Sequence, residues 1–196
     1  MAAAIKHQTV QVTDPPITHF LFSDTRFAWI WLIVRLYMAY TWLTSGYGKV
    51  TGTGWVDGGA ALKGFWTSAV VTTPKPVITF DWYRQFIQFM LDNQAYVWFG
   101  KLVATGELLI GTALLLGAFT GIAAFAGGFM NWNFMMAGSA SVNPVFFTLS
   151  ILLIVAWKTA GYWGLDRFLL PLLGTPWKPA FVAVDTRRKN APAMAD

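Results

Sequence analysis

Apolar residues in this chain gather into long runs, and four of the runs qualify by length as membrane spans. A helix rises about 1.5 Å per residue and the hydrocarbon layer is roughly 30 Å thick, so about 20 apolar residues are needed. Residues 27–46 form a run with one charge, Arg35, and residues 96–119 a run with two, Lys101 and Glu107. Residues 121–141 carry no charge, and residues 145–162 carry only Lys158. Lys101 and Lys158 lie near the ends of their runs, where a long side chain snorkels to water. Only Thr120 separates the second and third runs, which forces an antiparallel pair. Val142-Asn143-Pro144 joins the third to the fourth, with Pro144 suited to a helix start. The expected fold is all-α: a polytopic membrane protein built as a bundle of four transmembrane helices. Residues 1–26 form an N-terminal tail, 27–174 the membrane domain and 175–196 a basic C-terminal tail, both tails being read as flexible.

The segment 47–95 is the one long connection. It follows Gly46 with Tyr47-Gly48-Lys49, passes Trp55 and Trp66, and ends in FDWYRQFIQFMLDN. In that ending Trp82, Phe86, Phe89 and Met90 recur at helical spacing, with Arg84, Gln85, Gln88 and Asp92 between them. The pattern predicts an amphipathic helix lying in the membrane interface. Two roles are open to it. It is a lid without chemistry, or its aromatic residues Trp82 and Tyr83 roof a lateral, quinone-sized pocket to which Lys49 and Arg84 draw an anion. The GYGK stretch lacks the spacing of a phosphate loop.

Composition supports the membrane reading and narrows the chemistry. The 196 residues are 56% hydrophobic and only 12% charged, against about a quarter charged in soluble domains. Cysteine is absent, and the two histidines, His7 and His19, precede the first run. Disulfides, thiol relays, cysteine-bound iron–sulfur clusters, cysteine zinc sites and a bis-histidine haem in the membrane are thereby excluded. No metal is expected, and redox chemistry would need a quinone or a partner subunit. The net charge of +5 is uneven. Lys6, Arg26, Arg167, Lys178, Arg187, Arg188 and Lys189 fall on the side of the two termini, whereas Lys49, Lys63, Lys75 and Arg84 are scattered through the long loop. The positive-inside rule then puts both termini in the cytoplasm and the loop outside. No basic stripe interleaved with aromatic residues points to nucleic acid. The first 26 residues lack the apolar core of a cleavable signal.

Three polar residues fall deep in the runs. Counted from the run ends at helical rise, Arg35 lies roughly 12 Å in, Glu107 roughly 18 Å and Asn131 roughly 15 Å. A charge at that depth costs several kcal/mol without a partner, and Arg35 with Glu107 is the expected bidentate pair. Such a pair either fixes helix packing or takes part in proton transfer, with Glu107 moving the protons of quinone reduction and Arg35 holding it ionised. Asn131 and Asn133 suit interhelical hydrogen bonds, and Asn131 is also a candidate contact for a quinone.

The arginine in the first run followed by SGYGK, then TGELLIGTALLLGAFTG, FMNWNFMMAGSASVNP and AWKTAGYWGLDRFLLP, together resemble the DoxX family. The likeness covers residues 29–171 and is greatest to the DoxD type, the membrane subunit of thiosulfate:quinone oxidoreductase. The resemblance implies a four-helix membrane bundle in a prokaryotic inner membrane. It further implies that two thiosulfate ions are coupled to tetrathionate and the electrons passed to the quinone pool. The family motif positions map to Arg35, Gly46, Lys49, Glu107, Asn131, Asn143 and Asp166. On this reading Glu107 and Arg35 are catalytic, Trp82, Tyr83 and Asn131 hold the quinone, and Lys49 and Arg84 hold the anion. The expected partners are membrane lipid and other membrane subunits. The alternative is a non-catalytic accessory subunit packed against a larger redox or photosynthetic membrane complex. The basic tail from Thr175 would bind acidic lipid or dock on a partner.

Overall fold

The computed structural model describes residues 14–174. The described residues form helices joined by turns and loops, with no strand. In chain order they form α1 (Pro16–Phe22), a single 3-10 turn (Thr25–Phe27), α2 (Ala28–Thr51), α3 (Ala60–Ala69), α4 (Asp81–Asp92) and α5 (Tyr96–Leu116). They continue with α6 (Thr120–Met136), α7 (Asn143–Val155), α8 (Trp157–Ala160) and α9 (Asp166–Leu172). Two helical stretches, Thr25–Thr51 and Tyr96–Leu116, are long and apolar enough to cross a membrane. They correspond to the first two apolar runs, whereas α6 and α7 are shorter, at 17 and 13 residues.

Two close helix pairs make the body: α2 lies along α5 and α6 lies along α7, with the α5–α6 hairpin joining them. Small residues set the first contact. A Cβ on Gly46 would sit 2.9 Å from the Leu108 backbone nitrogen, and one on Gly111 would sit 2.8 Å from that of Leu43. Each glycine therefore lets the opposite backbone approach closely, as small residues do between apolar helices. Trp31, Met38, Trp42, Ile110, Leu114, Phe146 and Leu153 fill the space between the four helices.

The hairpin between α5 and α6 is tight and locally strained. Gly117 ends α5 at φ 63°, and Phe119 adopts φ 48°, a conformation that costs a non-glycine residue energy unless its surroundings hold it. Asp166 supplies that hold. Its buried carboxylate accepts from the backbone N–H groups of Phe119 (2.5 Å) and Thr120 (2.9 Å), capping α6 from a distant part of the chain. The Leu165 and Asp166 backbone N–H groups donate in return to the Leu116 and Gly117 carbonyls.

Several boundaries depart from the sequence-based expectation. Helix α2 passes through Gly46 and Gly48 and ends at Thr51, so Lys49 is helical and not in a loop. The following segment contains two helices, and α3 and α4 share a second core of Leu62, Trp66, Ile78, Tyr83, Ile87 and Met90. On α4 the buried residues are Tyr83, Ile87 and Met90, while Trp82, Phe86 and Phe89 are exposed beside them. The fourth apolar run is broken at Ala156 into α7 and α8. The N-terminal segment, read as a flexible tail, is helical from Pro16 and is held at the end of that helix: Phe22 stacks on Trp31, whose indole donates to the Leu21 carbonyl at 2.7 Å. The C-terminal tail 175–196 lies outside the described residues.

The glycine contact gives a direct test. Gly111→Val should lower the unfolding free energy by about 1–3 kcal/mol through overpacking against Leu43. Gly48→Ala, whose Cβ meets nothing within 4 Å, should instead raise it by up to about 1 kcal/mol through the better helix propensity of alanine. Denaturant titration of the purified chain in mild detergent measures both.

Candidate functional site

One face of α2 carries Arg35, Met38, Trp42, Ser45 and Lys49, at alternating spacings of three and four. This is the helical repeat that keeps side chains on one stripe, and here the stripe faces the body. The two cations on it are 14 residues apart, about 21 Å along the axis, and they meet different partners. Side chains lean toward the N-terminus of their own helix. In the antiparallel pair, Lys49 on α2 and Glu107 on α5 therefore lean toward each other.

Lys49 Nζ donates to both carboxylate oxygens of Glu107, at 2.9 and 2.8 Å, and to Ser45 Oγ at 2.7 Å. The three ammonium protons thus have three acceptors, and the Trp55 ring packs 4.9 Å from Nζ. The Glu107 side chain is only 1% exposed and that of Lys49 is 17%. The anticipated Arg35–Glu107 pair is not formed. Arg35 Nη1 donates to the Ala160 carbonyl at 3.3 Å and Nη2 to the Trp163 carbonyl at 2.8 Å. The break after α7 turns these carbonyls toward α2. Gly117 and Gly164 leave room for the guanidinium, since a Cβ on either would collide with Nη1.

The ion pair borders a cavity of about 310 Å³. Trp42, Trp55, Phe65, Phe134 and Phe146 give it aromatic walls, and Thr41, Ser45, Asn131, Ser139 and Asn143 add polar groups. It is built from α2, α5, α6 and the start of α7 and is overhung by α3 and the segment before it. Phe65 and Trp55 belong to that overhang, where Gly59 and Gly100 allow close backbone packing: a Cβ on Gly100 would sit 2.6 Å from the Trp55 carbonyl oxygen.

Of the residues singled out by sequence, Glu107, Lys49 and Asn131 come together at this cavity, whereas Arg35, Trp82, Tyr83 and Arg84 do not line it. Trp82 is 58% exposed. Tyr83 is buried, and its hydroxyl donates to Asn133 at the backbone oxygen (3.2 Å) and Oδ1 (3.1 Å). Burial pushes the Tyr83 phenol up to about 12, so it stays a donor at neutral pH. Arg84 is paired with Asp81 at 2.6 Å. Lys49 and Arg84 are therefore both paired with carboxylates. Trp42, Ser45 and Phe65 are among the cavity residues that the sequence reading did not single out, while Asn143, which also lines it, is one of the positions implied by the family resemblance. The three–four spacing from Arg35 to Lys49 is the signal that marks Trp42 and Ser45.

Among the described residues no group of three or more His, Asp or Glu side chains is placed to hold a metal ion. Compared with protein-family models, curated proteins and solved structures, the chain matches none.

The pair makes an asymmetric stability prediction. Lys49→Met strands an unpaired carboxyl in the interior and should cost about 3–5 kcal/mol. Glu107→Gln lets the partly exposed Lys49 turn to solvent and should cost less. The double variant Lys49→Met/Glu107→Gln should recover most of the loss, as read by a double-mutant cycle in denaturant.

Proposed function

We propose that the chain is a four-span membrane protein acting as the quinone-reducing subunit of an oxidoreductase, with the Lys49–Glu107 cavity as its quinone site. Four spans would use the 3-10 turn with α2, then α5, α6, and α7 continued by α8. The last two measure roughly 25 and 27 Å at helical rise. Their outward faces carry Ile33, Tyr40, Leu109, Ile122, Phe125 and Phe129 exposed, an apolar surface that lipid covers and water does not favour. By the lysine and arginine bias both termini would be cytoplasmic and the α2 C-terminus outside. The exposed Trp82, Phe86 and Phe89 on α4 would then rest in the outer interface.

One observation carries the quinone reading: a fully hydrogen-bonded Lys–Glu pair, its carboxylate buried and its ammonium partly exposed, on the wall of an aromatic cavity whose volume falls at the small end of the range for small-molecule sites. Quinone reduction takes up two electrons and two protons. The pair holds one transferable proton, on Lys49 Nζ, shared with Glu107 and with the Ser45 hydroxyl. It can leave to the reduced ring and be replaced from water at the α2 C-terminal end, and the cycle repeats for the second. The resemblance to the DoxD type supplies the electron donor: two thiosulfate ions each lose one electron and join through a sulfur–sulfur bond to give tetrathionate. With Lys49 and Arg84 already paired, thiosulfate oxidation falls to a partner subunit. Arg35 has a structural role, tying α2 to the segment after α7.

Mild-detergent extracts containing the full chain and its copurifying partners should reduce decylubiquinone on addition of thiosulfate. Glu107→Gln should lower that turnover at least about tenfold, the lower side of a lost proton-transfer group, with the fold retained by circular dichroism. Unchanged turnover removes the proton role from Glu107. Copurification in fixed ratio with a larger complex, without quinone binding to this chain, assigns it an accessory role instead.

A further inference from the structure

Two residues of the cavity wall each hold a buried donor that has nothing to donate to. Trp42 Nε1 and Asn131 Nδ2 are buried and have no hydrogen-bond partner, and both residues line the cavity. A buried N–H left unpaired is costly, so a fold that keeps two of them side by side gains by supplying them with an acceptor. The two are neighbours. The Trp42 indole lies against Gly127, where a Cβ would stand 3.1 Å from Nε1, and Asn131 follows Gly127 by one turn on α6.

We propose that Trp42 Nε1 and Asn131 Nδ2 together bind the oxygen of a neutral carbonyl ligand, which under the reading above is one carbonyl of the quinone. The indole nitrogen only donates, so the ligand group facing it must accept. Its neutrality follows from charge. Lys49 and Glu107 cancel each other, and all three ammonium protons are committed to Ser45 and Glu107. An anion entering the cavity would meet no free cation on its wall, and burying an uncompensated charge is far costlier than burying a paired carbonyl. The site thereby separates a quinone from thiosulfate: both present oxygen acceptors, but only the quinone does so without charge. Trp42 and Asn131 act here as binding and specificity residues, and the proton transfer stays with Lys49 and Glu107.

The test uses the full chain in phosphatidylcholine nanodiscs, titrated separately with decylubiquinone, with its doubly O-methylated quinol, which has no carbonyl, and with sodium thiosulfate. Wild-type protein should bind the quinone and should not bind thiosulfate saturably. Trp42→Phe and Asn131→Leu should each weaken quinone binding at least about fivefold, the loss of one net hydrogen bond, and leave the affinity for the O-methylated quinol unchanged. Asn131→Leu should also leave the ligand-free melting temperature unchanged or raised, since it removes an unpaired polar group and breaks no bond, which separates a binding role from a structural one. Quinone binding that is equally strong in both variants overturns the donor assignment while leaving the functional reading intact. A wild-type chain that binds no quinone overturns both. Saturable thiosulfate binding that the two variants abolish would make this an anion site and overturn the neutral-ligand assignment.

Discussion

A carboxylate in the middle of an apolar helix must be met by a cation or give up its charge, and in this protein Lys49 is what meets Glu107. The rest of the arrangement serves that contact. Helix α2 has to continue past two glycines to Thr51 for Lys49 to be presented on the Arg35–Trp42–Ser45 stripe. Gly46 and Gly111 have to bring the α2 and α5 backbones close enough for the ammonium to reach both carboxylate oxygens. Ser45, one turn before Lys49, takes the third proton. The pair then leaves Nζ saturated, and the aromatic walls of the cavity can close around it without stranding a charge.

The opposite end of the stripe shows how different a second buried cation can be. Arg35 is 1% exposed; its two Nη groups donate to the carbonyls of Ala160 and Trp163, while its buried Nε has no partner. These carbonyls belong to the irregular stretch between α7 and α9, where the regular helical ladder is interrupted. Asp166, a few residues on, turns back to cap α6 at Phe119 and Thr120. One arginine and one aspartate thus fasten four segments of backbone at this end. Neither is aimed at the cavity.

The helical character and the two longest apolar helices could be read directly from the runs of apolar residues, because each run outlasts what a strand would use. Glu107 and Asn131 stood out as polar residues inside those runs, and both prove to border the cavity. The pairing was not legible. Depth counted from run ends places Arg35 and Glu107 near one level, but it takes the first helix to stop at Gly46 and so leaves Lys49 in a loop. Packing against α5 overrides the low helix propensity of Gly46 and Gly48, and that override carries Lys49 into reach. Nor could the charge pattern show that Arg35 would donate to main-chain oxygens, since their availability depends on a break at Ala156 that no proline or glycine announces. On α4, Tyr83 turns inward and Trp82 outward because the neighbouring α3 sets which of two adjacent apolar stripes is covered.

The cavity is drawn from residues as far apart in sequence as Thr41 and Phe146, with Trp55 and Phe65 reaching it from the segment between. No single helix or hairpin contains enough of it to recognise anything. Its pocket exists only once the long intervening segment has settled over the helical body, so occupancy and complete assembly are thermodynamically linked. A ligand present at a hundred times its dissociation constant would add about 2.7 kcal/mol to the stability of the folded chain. For a body held together by close glycine contacts and a handful of buried polar ties, any small molecule that binds in the cavity would then also act as a folding chaperone.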